Sequence, residues 1–319
     1  MAAENPQAPR GLICPLVTPL TAQGDLDLPS LQRLLGHVQR FVDGLLIGDL
    51  VWGEGGALCE ALRLDLLAAV RDAAGGRTPL LVTVTGRQPA DTRRFMMSAE
   101  ALLTRGGDPG AVCWVDYPLV YHSNRGLPQF YRELAAETRF PFIVANHPSL
   151  IQGLKGPGRL KNIRTGVLKK IAANPALVGL IFVGGLKRAL NYHLALRGRD
   201  RFAFYDGDEW GFLKSPASGG VVAGGSNLLP RVWLAVTRSS LNRLEEDRHS
   251  PPHPATLLES GFMLRTLGAL CRTSPAVQLK TILQRVGLIA SDAAALPADG
   301  RDSAWEADLK AFLGAYDLL

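Results

Sequence analysis

The chain has 319 residues, 47% of them hydrophobic and 20% charged, a balance that excludes a disordered or fibrous protein and fits a globular chain with a large buried core. Its four cysteines, Cys14, Cys59, Cys113 and Cys271, form no C-x-x-C pair, which argues against a zinc knuckle, a thioredoxin-type motif or a disulfide scaffold. The net charge of +6 comes from arginines scattered among acids, with no basic aromatic stripe, so nucleic acid is not an expected partner. No apolar run approaches the ~18–20 residues of a membrane span. The opening MAAENPQAPR lacks a signal-peptide core, so residues 1–10 read as a loose arm on a cytoplasmic protein.

From Gly11 onward, short apolar or β-branched runs alternate with longer amphipathic stretches, the pattern of βα units around a buried parallel sheet. The expected strands are 12–17, 44–47, 80–84, 111–115, 142–145, 178–183, 202–205 and 220–223. The expected helices between them are 28–42, 60–74, 89–105, 127–137, 161–173, 186–197 and 209–217, with another after Pro230. Eight strands, each followed by a helix, predict an α/β fold of the (β/α)8 TIM-barrel type over residues 11–240. A doubly wound sheet is the main rival, but no G-x-G-x-x-G follows the first strand. Three further helices at 254–272, 276–289 and 303–316 predict a C-terminal helical domain over 241–319.

Such barrels carry their chemistry at the C-terminal strand ends and the loops that follow. Several of those segments, in order, resemble one family. LVTPL followed by GDLDLPSLQRLL is similar to a V-T-P-F strand end, a G-x-x-D turn and a first helix. VDGLLIGDLVWGEGGAL resembles D-G-L-x-x-x-G-T-T-G-E, ANHPS sits at Y-N-x-P-x, and ALVGLIF matches I-V-G-I-K-E. YDGDE matches S-G-D-D, and QLKTILQRVGLIAS resembles V-K-x-A-L-x-x-x-G-L. The family is that of dihydrodipicolinate synthase and N-acetylneuraminate lyase, aldolases and dehydratases that bind a 2-oxo acid as a lysine Schiff base. The resemblance runs from about Gly11 to Ser291.

The same comparison implies lost chemistry. Ile181 falls at the Schiff-base lysine, with Phe182 at the adjacent acid; Ala145 falls at the relay tyrosine; Val51 and Trp52 fall at the paired threonines; Leu150 falls at a carboxylate-binding arginine. Nucleophile, relay and carboxylate clamp must act together in covalent catalysis. The resemblance therefore implies a small-molecule-binding or altered-chemistry relative rather than a standard pyruvate aldolase. The alternative is a lyase, aldolase or dehydratase acting on a 2-oxo acid or sugar acid through an unrecognised lysine or a metal.

The candidate barrel-mouth pocket comprises Glu54, Tyr121, His122, Asn146, His147, Asp208, Glu209 and Lys214, alongside Asp49, Asp116, Tyr117 and Asp206. Lys214 is the substitute lysine to test first. His122 and His147 could exchange protons near neutrality. Glu54, between two glycines, also reads as a loop-stabilising carboxylate, and Trp52 as a wall filling part of the pocket. No H-x-H or H-E-x-x-H spacing occurs, so no metal and no cofactor is expected. Residues 152–159, QGLKGPGR, read as an insertion relative to the family. The resemblance further implies a homodimer or homotetramer.

Overall fold

The structure is a computed structural model that describes residues 7–105, 109–152, 160–217, 219–241, 254–297 and 300–318. Its strands are β1 (Gly11–Pro15), β2 (Gly44–Ile47), β3 (Leu80–Thr83), β4 (Val112–Asp116), β5 (Phe142–Asn146), β6 (Leu177–Phe182), β7 (Ala203–Asp206) and β8 (Gly220–Val222). They follow one another in order β1 to β8 in a closed barrel, and the registered pairs are parallel. The interleaved helices are α1 (Leu28–Val38), α2 (Glu60–Ala74), α3 (Pro89–Thr104), α4 (Leu127–Ala136), α5 (Pro148–Gln152), α6 (Thr165–Ala172), α7 (Leu186–Ala195), α8 (Glu209–Lys214) and α9 (Pro230–Ser240). A C-terminal helical part follows: α10 (Pro254–Leu270), α11 (Pro275–Arg285) and α12 (Ser303–Ala315).

Every residue of β1 to β6 and of β8 is buried. A parallel strand covered on both faces is therefore a continuous apolar run, which is why the sequence exposes it. Each expected strand lies within two residues of an observed one. Helix ends depart further. The helix expected over 28–42 stops at Val38 and tightens into a 3-10 turn at Gln39–Phe41. The one expected over 161–173 starts at Thr165, and the short α5 was not expected. The insertion expected at 152–159 falls, after its first residue, outside the described residues.

Local chemistry accounts for several boundaries. The Asp27 carboxylate accepts from the Ser30 amide and caps α1, and Asp302 caps α12 by accepting from the Trp305 amide. Gly75, at φ 55°, closes α2 in the left-handed conformation that favours glycine.

The chain divides into two compact units, residues 1–10 with 79–222 and residues 11–78 with 223–319. The first is centred on Trp114, Tyr131, Phe142, Phe182 and Phe212, and the second on Leu12, Ile13, Leu16 and Trp233, all of them fully buried.

Candidate functional site at the strand ends

In the second unit, the loop after β2 is held by its own residues, through the Asp49 carboxylate and close backbone approaches at two glycines. Asp49, buried, accepts from the Val51 and Trp52 amides at 2.9 and 2.8 Å. A Cβ on Gly55 would lie 1.9 Å from the Gly48 carbonyl oxygen, and one on Gly53 would lie 2.8 Å from the Asp49 amide nitrogen. Glycine is therefore obligatory at both positions. The Trp52 indole packs on Gly224, just beyond β8, where a Cβ would fall 2.1 Å from the ring.

Glu54 adopts φ 55°, uncommon for a residue with a side chain. Its carboxylate is fully buried and bonds the Lys280 ammonium on α11, while its other oxygen accepts from the Leu296 amide at 3.0 Å. Lys280 also donates to the Ala293 carbonyl at 2.9 Å. Burial pulls the lysine below its ordinary value against the opposing pull of Glu54. Glu54 thus ties the loop to the C-terminal helices of its own unit.

In the first unit, strand register sorts the strand-end residues by face. Ala145 pairs with Ile181, and Ile181 with Tyr205. Ile181 also lines the space beside Gly207, where a Cβ would meet its Cγ2 at 2.8 Å. Ala145 and Ile181 are both buried and form an apolar patch on the barrel-facing side. Their neighbours in sequence point the other way. The Phe182 ring meets Tyr192 of α7, and Asn146 accepts from the Ile163 amide at 2.8 Å and donates to Asn162 at 3.0 Å. Asn146 is thus held in a network of protein partners.

Asp116, at the end of β4, is completely buried. It accepts from the hydroxyls of Thr85, Tyr121 and Tyr131 at 2.8, 2.7 and 2.7 Å. Burial raises its carboxyl above the ordinary range, with the three hydroxyls and the Tyr117 amide opposing. Burial and the charge of Asp116 push Tyr121 well above its usual value. Tyr121 thus joins an internal acid–phenol cluster. Tyr117, on the face opposite Asp116, lies 6.5 Å between ring centres from His147, whose Nδ1 bonds Ser149 at 2.9 Å. His122 instead bonds the Ser123 carbonyl and lies against Phe130.

After β7, Asp208 caps α8 by accepting from the Trp210 amide at 3.1 Å, Glu209 is buried, and Lys214 is exposed. Asp206, like Asp116, is displaced in its titration. Burial, with the nearby charge of Asp208, raises it to about 7 despite the Ala217 amide donating to it at 2.8 Å. The sequence placed Asp206 among the residues of the barrel mouth, but its raised titration depends on burial and on the nearby charge of Asp208, which residue type alone does not reveal. Among the described residues no group of three or more histidines, cysteines or acids could hold a metal. Also among them, no helix is long and apolar enough to cross a membrane.

The pattern of the Dihydrodipicolinate synthetase family matches residues 8–313. The chain belongs to this family. It is 30% identical over 284 residues to a protein of Stenotrophomonas maltophilia strain R551-3 named 4-hydroxy-tetrahydrodipicolinate synthase, covering 87% of each chain. It is 28% identical to a protein of the same name from Thiobacillus denitrificans, covering 79% of this chain and 83% of that one. The fold is similar to that of dihydrodipicolinate synthase from Thermotoga maritima, with a TM-score of 0.78 at 23% identity over 97% of this chain and 99% of the other. It is also similar to a prophage family member of E. coli K12 solved in complex with pyruvate, with a TM-score of 0.77 at 19% identity over 97% and 99% of the two chains.

Proposed function

We propose that this family member has lost the Schiff-base lysine and relay tyrosine, at Ile181 and Ala145, and is a small-molecule-binding or altered-chemistry relative rather than a standard pyruvate aldolase. One observation carries the reading: no described lysine is both buried and uncommitted. Lys161, Lys169, Lys170, Lys187, Lys214 and Lys310 are exposed, and Lys280 is bonded to Glu54. An imine needs a desolvated amine next to the carbonyl it attacks, and the patch made by Ala145 and Ile181 supplies only hydrocarbon. Val51 and Trp52 bring no hydroxyl to the loop after β2, and their amides already donate to the Asp49 carboxylate, which supports the loss of a carboxylate clamp there.

The ligand class proposed is a 2-oxo acid or sugar acid, without metal or cofactor. A barrel over 11–240, a helical domain over 241–319, a cytoplasmic setting and a homo-oligomer, dimer or tetramer, complete the proposal. None of the four cysteines is in a disulfide and three of them are buried, which supports a reducing compartment. The relatives named 4-hydroxy-tetrahydrodipicolinate synthase favour a second reading, an active lyase using a lysine that substitutes for Ile181.

Borohydride reduction with pyruvate, followed by intact mass, separates the two. An unmodified chain supports the first reading. A stoichiometric reduced adduct on any lysine establishes the second.

A further inference from the structure

The first unit carries a cavity of about 510 Å³ between the loop after β4 and the start of α6, lined in part by His122, Asn124, Arg125, Leu160, Arg164 and Val167. That volume suits a small organic molecule. Ala145 and Ile181 are not among its described lining residues, and of the barrel-mouth candidates only His122 is. The two walls are tied together by buried side chains. Asn124, 6% exposed, accepts from the Arg164 amide at 2.7 Å and donates to the Asn162 carbonyl at 3.0 Å. Asn146 holds the same segment from the strand side, through the Ile163 amide and the Asn162 side chain. Both arginines are therefore presented from backbone that is fixed in place.

The charges in this cavity are uncompensated. Neither the Arg125 nor the Arg164 guanidinium makes a hydrogen bond or an ion pair with any described residue, and no acid is among the described lining residues. Each arginine also sits at the start of a helix. Arg164 is the N-cap of α6, Arg125 precedes Gly126, the N-cap of α4, and neither helix has an acid in its first turn. Helix N-termini favour anions, so these two cations stand where a cation is least welcome. An anion between them removes that repulsion, and a neutral molecule does not. His122 engages the Ser123 carbonyl through Nδ1, so Nε2 is the ring nitrogen that remains for a ligand, while Leu160 and Val167 supply an apolar wall.

We propose that this cavity binds a small organic dianion, a phosphate monoester or a dicarboxylate with a short apolar part, held between Arg125 and Arg164. The planar guanidinium forks match the oxygens of either anion, and a dianion balances the two guanidinium charges. The proposal adds a site to the function read above and does not depend on whether an imine forms near Ile181.

Isothermal titration calorimetry on the full chain at physiological salt tests it, with phenyl phosphate and glutarate as probes and circular dichroism confirming that each variant is folded. At least one probe should bind one to one, and the tighter of the two names the anion class. Arg125→Gln and Arg164→Gln should each weaken that binding about 10-fold or more. Lys169→Gln, which removes an exposed cation of α6 outside the described lining, should leave it unchanged. Failure of both probes to bind at millimolar concentration, binding indifferent to either arginine change, or an equal loss from Lys169→Gln overturns the proposal. None of these outcomes alters the borohydride result, which tests the other reading separately.

Discussion

Replacing Lys280 with methionine tests the internal tie between the loop after β2 and the C-terminal helices. Methionine roughly keeps the volume and removes the charge, leaving the Glu54 carboxylate in a site where both side chains have 0% exposure. Of its partners above, Glu54 would keep the Leu296 amide. An uncompensated buried charge of this kind costs ~3–5 kcal/mol, a large share of the ~5–15 kcal/mol that holds a domain folded. For a unit of this size the melting temperature should drop by roughly 6–20 °C. Adding Glu54→Gln to the methionine variant removes the stranded charge and keeps an acceptor for the Leu296 amide, so the double variant should be more stable than Lys280→Met alone. Calorimetry and urea unfolding measure both. A single variant within ~1 kcal/mol of wild type, or a double variant no better than the single, would refute the claim that this pair is buried and charged.

Asp206 gives a prediction in pH. Its carboxyl moves from 3.8 to about 7 on folding, so the folded state holds its proton more tightly than the unfolded chain does. Stability from this group is fully present below pH 3.8 and falls as pH rises, with the loss complete above about 7. Asp206→Asn keeps an acceptor for the Ala217 amide, so it should be more stable than wild type at pH 8 by ~1–4 kcal/mol. The two proteins should converge near pH 4, and parallel urea midpoints across that range would count against the assignment. The double variant Ile181→Lys with Ala145→Tyr should give no reduced pyruvate adduct, because Val51 and Trp52 still deny the carboxylate its hydroxyl donors. A stoichiometric adduct on a folded double variant would show that changes at residues 145 and 181 are enough for imine formation in this barrel.

The strands were legible because a buried parallel strand is a local event: the apolar run of β6, for example, needs no distant partner to be recognised. The start of α6 was not, since Lys161 and Asn162 continue the polarity of a helix while Asn162 is drawn into the Asn146 network. The candidate site was legible as residue types and opaque as pairings. Glu54 is settled by Lys280, 226 residues away, and Asp116 by Tyr131 as well as its near neighbour Tyr121. Tyr121 was read as a mouth residue, yet its hydroxyl is directed to Asp116. Such choices depend on which side chains the fold brings together, and periodicity holds no record of that.

The Trp52 indole and Gly224 constrain the order in which this chain can change. While the indole occupies the space over residue 224, even a methyl group there collides with it, so Gly224 is closed to mutation until residue 52 becomes smaller. The reverse dependence is as strict, because a side chain acquired at 224 would bar tryptophan from 52. With glycine at 224, residue 52 is free to become smaller, so any exchange of bulk between the two positions has to begin at 52.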